Sequence, residues 1–562
     1  MRTRNSRNRT GLRILKPREL EEERPAHPGE WGCRGTDIWA MLCAAVDGDV
    51  PKIRRLLKKD PNLVRAEFWY TQPIHFAVRE GHLEAVRVLL DAGADPTWIR
   101  YAGEELATVS RDRGHEKVAR LIEEARRERN VSSEENEVHR AAESGDLARV
   151  RALVETDPSV VRLRDPNGRT PLHRAVLTGN LDMVRYLLDH GAEVDALHPS
   201  GNVYVKTSAR PINVAFWNNS RWARPGMDWM MIGFLLGRGA KDSITLAAST
   251  GSLERVKRFL DEDPKLIRYA EPDGTRPLTA AATGNHLDVV KLLLARGTDP
   301  NWPEGRYAPK GAALWWAARK GFVEVCKALL EKGADPNAGM ESGGSAIGGA
   351  KDKELRALMF QYGGKLDAND FGWEGNIEAL APLAEKEPEG VAHSGCGTIF
   401  TAVVSRADWN MLHMLLKKGV RVPKVVTGCR SYLWRKPEMT RVLLEHGMDP
   451  NLPDWQHVTP LHNICTQDEY CRFHKKKEKE WFALVDLFLE FGADINAIDE
   501  EYRSTPLGWA ARHGLKDMVK LLLKGGANPN RAAASWATPL AWATKRGHKA
   551  IAAILRKHGA RK

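Results

Sequence analysis

Thirty residues, Asn167 to Ala196, constrain this chain more than any other stretch, because they form a unit that cannot fold alone. Asn167-Gly168 supplies a turn that tolerates positive φ. Thr170 suits a helix N-cap, and Pro171 suits the first helical position, where no N–H is needed. Gly179 lets that first short helix end and the chain reverse. Leu181, Val184, Leu187 and Leu188 then follow at helical spacing until Gly191-Ala192. The result is a turn and two antiparallel helices with one apolar face, too small to bury that face without a copy on each side.

Copies are present. Gly81–Pro96, Leu287–Asn301, Phe322–Asn337 and Leu515–Asn530 repeat the second half. Thr459-Pro460-Leu461-His462, Thr505-Pro506-Leu507 and Thr538-Pro539-Leu540 repeat the first, with looser versions at Pro73, Pro211 and Pro277. On these residues the chain resembles the ankyrin repeat family, with its period of about 33 residues and its Thr-Pro-Leu-His-x-Ala signature. The resemblance implies an all-α solenoid of roughly 16 helix-turn-helix units with β-hairpin tips, stacked in a curved right-handed array. It covers nearly everything after residue 37.

The expected organisation is a disordered basic arm (1–36), an N-terminal solenoid (37–341), a degenerate stretch or hinge (342–395) and a C-terminal solenoid with a basic cap (396–562). The arm is rich in Arg, Asn, Glu and Pro and lacks apolar periodicity. In 342–395, Gly343, Gly344, Gly348 and Gly349 replace the signature region. A variant ending recurs at Asp60-Pro61, Asp157-Pro158 and Asp263-Pro264, with a worn copy at Glu387-Pro388. There the proline should stop the helix and a short extended piece should follow. Insertions near 201–226 and 466–480 map to loops, which in repeat arrays often form a binding face.

Charge is uneven. Of a net +12 for the whole chain, residues 502–562 alone carry 13 Lys/Arg against Asp517. Such an end attracts an acidic protein face, nucleic acid or anionic lipid. No apolar run of about 18 residues exists to span a membrane. The seven scattered cysteines suit a reducing compartment, so a cytoplasmic location is expected.

Motifs for catalysis do not emerge. The Gly-rich run Ser342–Lys351 lacks the Gly-Lys-Ser/Thr of a phosphate loop, since Ala350 precedes Lys351 and Asp352 follows it. No nucleophile elbow, metallohydrolase helix, kinase loop or dinucleotide fingerprint is found. The expectation is a non-enzyme without cofactors. His462, Cys465, Cys471 and His474 form a weak alternative zinc set, because His462 and Cys465 occupy ordinary repeat positions.

Three features point to partners. Trp316, Trp509 and Trp542 precede the small residues of a first helix and read as packing. Trp98, Trp302 and Trp455 instead follow Asp-Pro at the hairpin tips, where an aromatic can anchor a partner. The third feature is the pair ending each first helix, which in the resembled family lies on the concave side and often touches partners. That pair runs Arg79/Glu80, Glu143/Ser144, Leu177/Thr178, Ser249/Thr250 and Thr283/Gly284, then turns basic at Arg319/Lys320, Arg512/His513 and Lys545/Arg546. The implied function is a protein-interaction scaffold for a partner with an acidic surface. Nucleic-acid or other polyanion binding by the basic C-terminal repeats is the alternative.

Overall fold

The computed structural model describes residues 33–67, 71–98, 104–128, 136–165, 168–197, 210–215, 227–271, 274–304, 308, 310–340, 344–394, 398–424, 436–453, 456–465 and 478–561. Most of the basic arm and both insertions, with Asn167, Trp455, Cys471 and His474, lie outside the described residues. The chain divides between Lys365 and Leu366 into an N-terminal and a C-terminal unit.

Each unit is a succession of helix pairs. In the repeat that opened the sequence analysis, the inner helix is Pro171–Leu177 and the outer helix Leu181–Asp189. Thr170 and His173 form a reciprocal cap, in which the Thr170 N–H donates to His173 Nδ1 over 3.1 Å. Asn180 caps the outer helix by accepting from the Met183 N–H at 3.0 Å. Inner helices pack on inner helices, as in the succession Ile244–Ser249, Pro277–Thr283 and Ala313–Lys320. Their contact residues are small: Ala280, Ala281 and Ala282 are all buried. Outer helices add Val and Leu, such as Val289, Val290 and Leu293, so one apolar layer continues from repeat to repeat.

In several of the described repeats, the residue in the signature His slot fastens one repeat to the next. His139 Nε2 donates to the Arg169 carbonyl at 2.9 Å, and His462 Nε2 to that of Ser504 at 3.2 Å. Trp315 occupies the same slot and donates its indole N–H to the Gly344 carbonyl at 3.1 Å. Where Gly508 leaves the slot empty, the Ser504 hydroxyl fills it and donates to the Ala537 carbonyl at 2.8 Å. Thr279 bonds forward to the Glu304 carboxylate.

Two further fasteners recur. His82, His286 and His548, at outer-helix starts, reach back to the carbonyls of Val46, Ser249 and Arg512 at 2.9, 2.8 and 3.2 Å. His115 lies over Gly81, where φ is +80° and an added Cβ would come 2.4 Å from the ring, so both backbone and packing require glycine. At the hairpins, Asn337 donates to the Gly363 carbonyl at 3.0 Å and accepts from the Lys365 N–H at 2.8 Å. Asn301, Asn451 and Asn530 do the same to their next repeats.

One expectation needs correction. The Asp-Pro endings are not extended: Pro61–Val64, Pro158–Arg162 and Pro264–Arg268 are 3₁₀ turns. The preceding aspartates accept from the N–H two residues on, and proline's fixed φ already suits a helical turn. Hairpin strands are sparse among the described residues. One two-residue ladder pairs Gly339–Met340 with Gly344–Ser345, and isolated bridges join Glu304 to Ala308 and Ser504 to Ala532. Within 342–395, helices Ala346–Gly349 with Lys353–Gln361, and Ala368–Glu374 with Ile377–Lys386, keep the paired pattern despite the glycines.

Removing the side-chain bridge with Asn337→Ala should cost about 1 kcal/mol of stability, read as a lower urea midpoint. Burial pushes the Glu304 carboxyl up to about 7, against the opposing hydrogen bonds from Thr279 and the Arg276 N–H. The folded state therefore keeps this proton at pH values where the unfolded chain has lost it. Stability should fall as pH rises from about 4.5 towards 7 and level off above. Glu304→Gln should flatten that slope in urea melts taken across this range.

Candidate functional site

The cationic inner-helix ends fall in both units and differ in kind. In the N-terminal unit, Arg319 and Lys320 close the helix Ala313–Lys320 and are exposed. The Arg319 guanidinium lies 4.8 Å from the centre of the buried Trp315 ring. Its stem runs past Gly349, where an added Cβ would approach Arg319 Cγ to 3.1 Å. The Gly-rich run therefore gives room to a Trp–Arg stack. Lys320 turns back and donates to the Thr283 carbonyl at 3.0 Å, and partial burial lowers its pKa. Trp316, expected in the core, is only half-buried, because Trp315 beside it takes the buried slot.

Two earlier inner-helix arginines of this unit turn inward. Arg79 is 1% exposed, stacks 4.7 Å over Phe76 and donates to Glu80 at 2.8 Å. Arg113 from the following repeat joins the same carboxylate at 3.0 Å. Arg174 likewise donates to Asp165 and Glu143, each at 2.7 Å.

The C-terminal unit gathers its cations around aromatic rings. Asp499 is fully buried and accepts from Trp509 Nε1 at 2.8 Å and from the N–H groups of Tyr502 and Ser504 at 2.7 and 3.1 Å. This fixes Tyr502 and Trp509 edge to face with centroids 4.9 Å apart. Trp542 from the next repeat meets Tyr502 at 5.7 Å, and Trp536 meets Trp542 at 5.8 Å. Three cations surround the Trp542 ring: Arg512 at 5.0 Å, Lys545 at 5.1 Å and Arg546 at 5.8 Å. Lys545 also lies 5.2 Å over Trp536.

Accessibility sorts the expected contacts. Lys545 is exposed, and Arg546, His513 and Trp536 are half-buried. Arg512 is only 4% exposed, a correction to its expected place on the accessible edge. Its flat, weakly hydrated guanidinium slots between Tyr502, 4.1 Å away, and Trp542. Among the tip tryptophans, Trp98 is 4% exposed and packs edge-on against His75 at 5.7 Å, so it cannot anchor a partner at the surface. Trp302 is half-buried between the guanidinium groups of Arg268 and Arg276, 5.6 and 5.5 Å from its ring.

The described half of the proposed zinc set has other work. His462 uses Nδ1 to accept from the Thr459 N–H and Nε2 to reach Ser504. Cys465 is fully buried, which pushes its thiol well above the usual range. Among the described residues no group of three or more His, Cys, Asp or Glu side chains is placed to hold a metal. No helix among them is long and apolar enough to cross a membrane.

One surface feature escaped the sequence analysis. Trp373 and Trp409, in consecutive repeats, are 43% and 37% exposed, far more than Trp98. Trp373 sits at the surface-pair position of its inner helix, where the glycine-disrupted signature had hidden the register.

Comparison with known proteins agrees with this architecture. Models described as "Ankyrin repeats (3 copies)" match residues 106–198, 244–340 and 477–562, and one described as "Ankyrin repeats (many copies)" matches 41–95. The chain is similar to a probable E3 ubiquitin-protein ligase, XBOS32, of Oryza sativa subsp. japonica, with 28% identity over 27% of this chain and 38% of that protein. It is also similar to the ankyrin repeat protein nuc-2 of Neurospora crassa, with 27% identity over 44% of this chain and 23% of the other. The chain thus spans well under two thirds of the length of these curated relatives. The ankyrin repeat domain of human ASB11 aligns over 42% of this chain and all of its own length, with 26% identity and a TM-score of 0.27. Repeats of this kind generally mediate protein–protein interaction. The family models cover more than half of the residues, and the chain belongs to the ankyrin repeat family.

Proposed function

We propose that this protein is a non-catalytic interaction scaffold whose last two repeats capture an acidic segment of a partner protein. One observation carries the proposal: the crowding of Arg512, Lys545 and Arg546 around a single indole, on a stretch with 13 Lys/Arg against one acid. The buried stack holds Arg512 rigid, and the reachable groups are Lys545, Arg546, His513 and the half-buried Trp536. A rigid aromatic floor under the reachable cations lowers the ordering cost of capture. Arg319 and Lys320 offer a second cationic edge on the N-terminal unit. Nucleic acid fits less well, because Trp509 and Trp542 are buried and offer no open face for base stacking. A reducing, cytoplasmic setting is in keeping with the buried thiols of Cys326 and Cys465, the first pushed up to about 12 by burial.

Titration of the full chain with a labelled poly-glutamate peptide tests this. Lys545→Glu with Arg546→Glu should weaken binding about tenfold or more, mainly through the loss of opposite charge at the rim. Equal binding by this variant and the wild type would remove the proposal. Single-stranded RNA binding more tightly than the peptide, with a steep salt dependence, would favour the nucleic-acid reading instead. A separate outcome distinguishes floor from rim. Arg512→Ala should destabilise the fold by about 2 kcal/mol through lost packing, whereas Lys545→Ala should stay within roughly 0.5 kcal/mol.

A further inference from the structure

The same C-terminal unit carries a second surface of opposite character, independent of the basic edge. From Leu366 to Gly395, seven acids stand against a single Lys386. Three of them belong to the inner helix Ala368–Glu374 and its cap. Asp367 and Asp370 cap one another, with bonds of 2.9 and 3.1 Å. Asp370 and Glu374 lie one helical turn apart, with Trp373 between them in sequence. Burial, then the neighbouring charges of Asp367 and Glu374, raises the Asp370 carboxyl to about 6. These carboxylates therefore share one local field. Asp367, Glu374, Glu378 and Trp373 are all exposed.

Arg406 ties the next repeat to this helix. It donates to the Trp373 carbonyl at 2.9 Å and lies 4.0 Å from Asp408, which caps the outer helix that begins at Trp409. Trp373 thus stands exposed on the acidic inner helix, and Trp409 stands exposed at the start of the outer helix of the adjoining repeat. An apolar partner would not need the carboxylates, and an acidic one would be repelled by them. A Lys/Arg side chain satisfies both features, since a cation gains from the face of an exposed indole and from nearby carboxylates. We infer that Trp373, Trp409 and the acids of helix Ala368–Glu374 form a docking surface for a Lys/Arg-rich segment of a partner protein. The scaffold would then offer oppositely charged surfaces on one unit, able to hold two partners of opposite charge.

The probe is a fluorescein-labelled octa-arginine peptide, titrated by anisotropy against the full chain. Wild type should bind it, more weakly as salt is raised. Trp373→Ala with Trp409→Ala should lose about tenfold in affinity. More than half of each indole is still covered, so the thermal midpoint should fall by a few degrees while the fold persists. Glu374→Lys keeps both indoles and should also weaken binding severalfold. Glu254→Lys, on an exposed helix of the other unit, serves as the control and should leave affinity within about twofold. The inference falls if octa-arginine does not bind, or if both test variants bind within twofold of wild type. It also falls if loss of the two tryptophans abolishes self-association seen by sedimentation, because a second copy would then be the occupant.

Discussion

A hydrogen bond from one inner helix to the next hairpin underlies everything else in this protein. No repeat buries its own apolar face, so each must be set against its neighbour in a fixed register. The slot two residues after the inner-helix proline sets that register. His139 and His462 fill it with imidazole, Trp315 with indole and Thr279 with a hydroxyl. Where Gly508 has no side chain, Ser504 reaches in from the preceding hairpin. The chemistry varies while the direction of the bond persists, from one repeat forward to the next. This tolerance lets the surface positions beside the slot diverge.

That divergence separates structural cations from those open to partners. In the N-terminal unit, Arg79 and Arg174 are absorbed by carboxylates of their own or adjacent repeats. In the last two repeats, aromatic rings take over the supporting role. A ring attracts a cation through its face, and residues 502–562 carry 13 Lys/Arg against one acid.

The pattern of turns, caps and helix spacing was legible because every such feature depends on near neighbours in sequence. The Thr170 cap with Pro171 in the first helical turn follows from that pattern alone. Burial of individual side chains was not legible, since it depends on what the adjoining repeat places above them. Arg512 disappears beneath Trp542, thirty residues on, and Trp98 packs on His75 from an earlier helix. Trp373 was missed for a different reason. Its repeat has lost the signature residues, so the surface-pair register could not be counted from them. The Asp-Pro endings looked extended because proline is a helix breaker, but the aspartate cap makes it a helix starter instead.

Those Asp-Pro endings also change how the seams are made. At ordinary hairpins an asparagine both donates to and accepts from the following repeat. After Asp60 and Asp157 an arginine stands in, Arg65 reaching the Gly93 carbonyl at 3.4 Å and Arg162 that of Gly191 at 3.2 Å. A guanidinium can only donate, so half of the asparagine bond has no counterpart from that side chain. The seams of the array are therefore graded in strength. In a linear chain of nearest-neighbour couplings, the weakest seams part first, and they divide the protein into blocks a few repeats long.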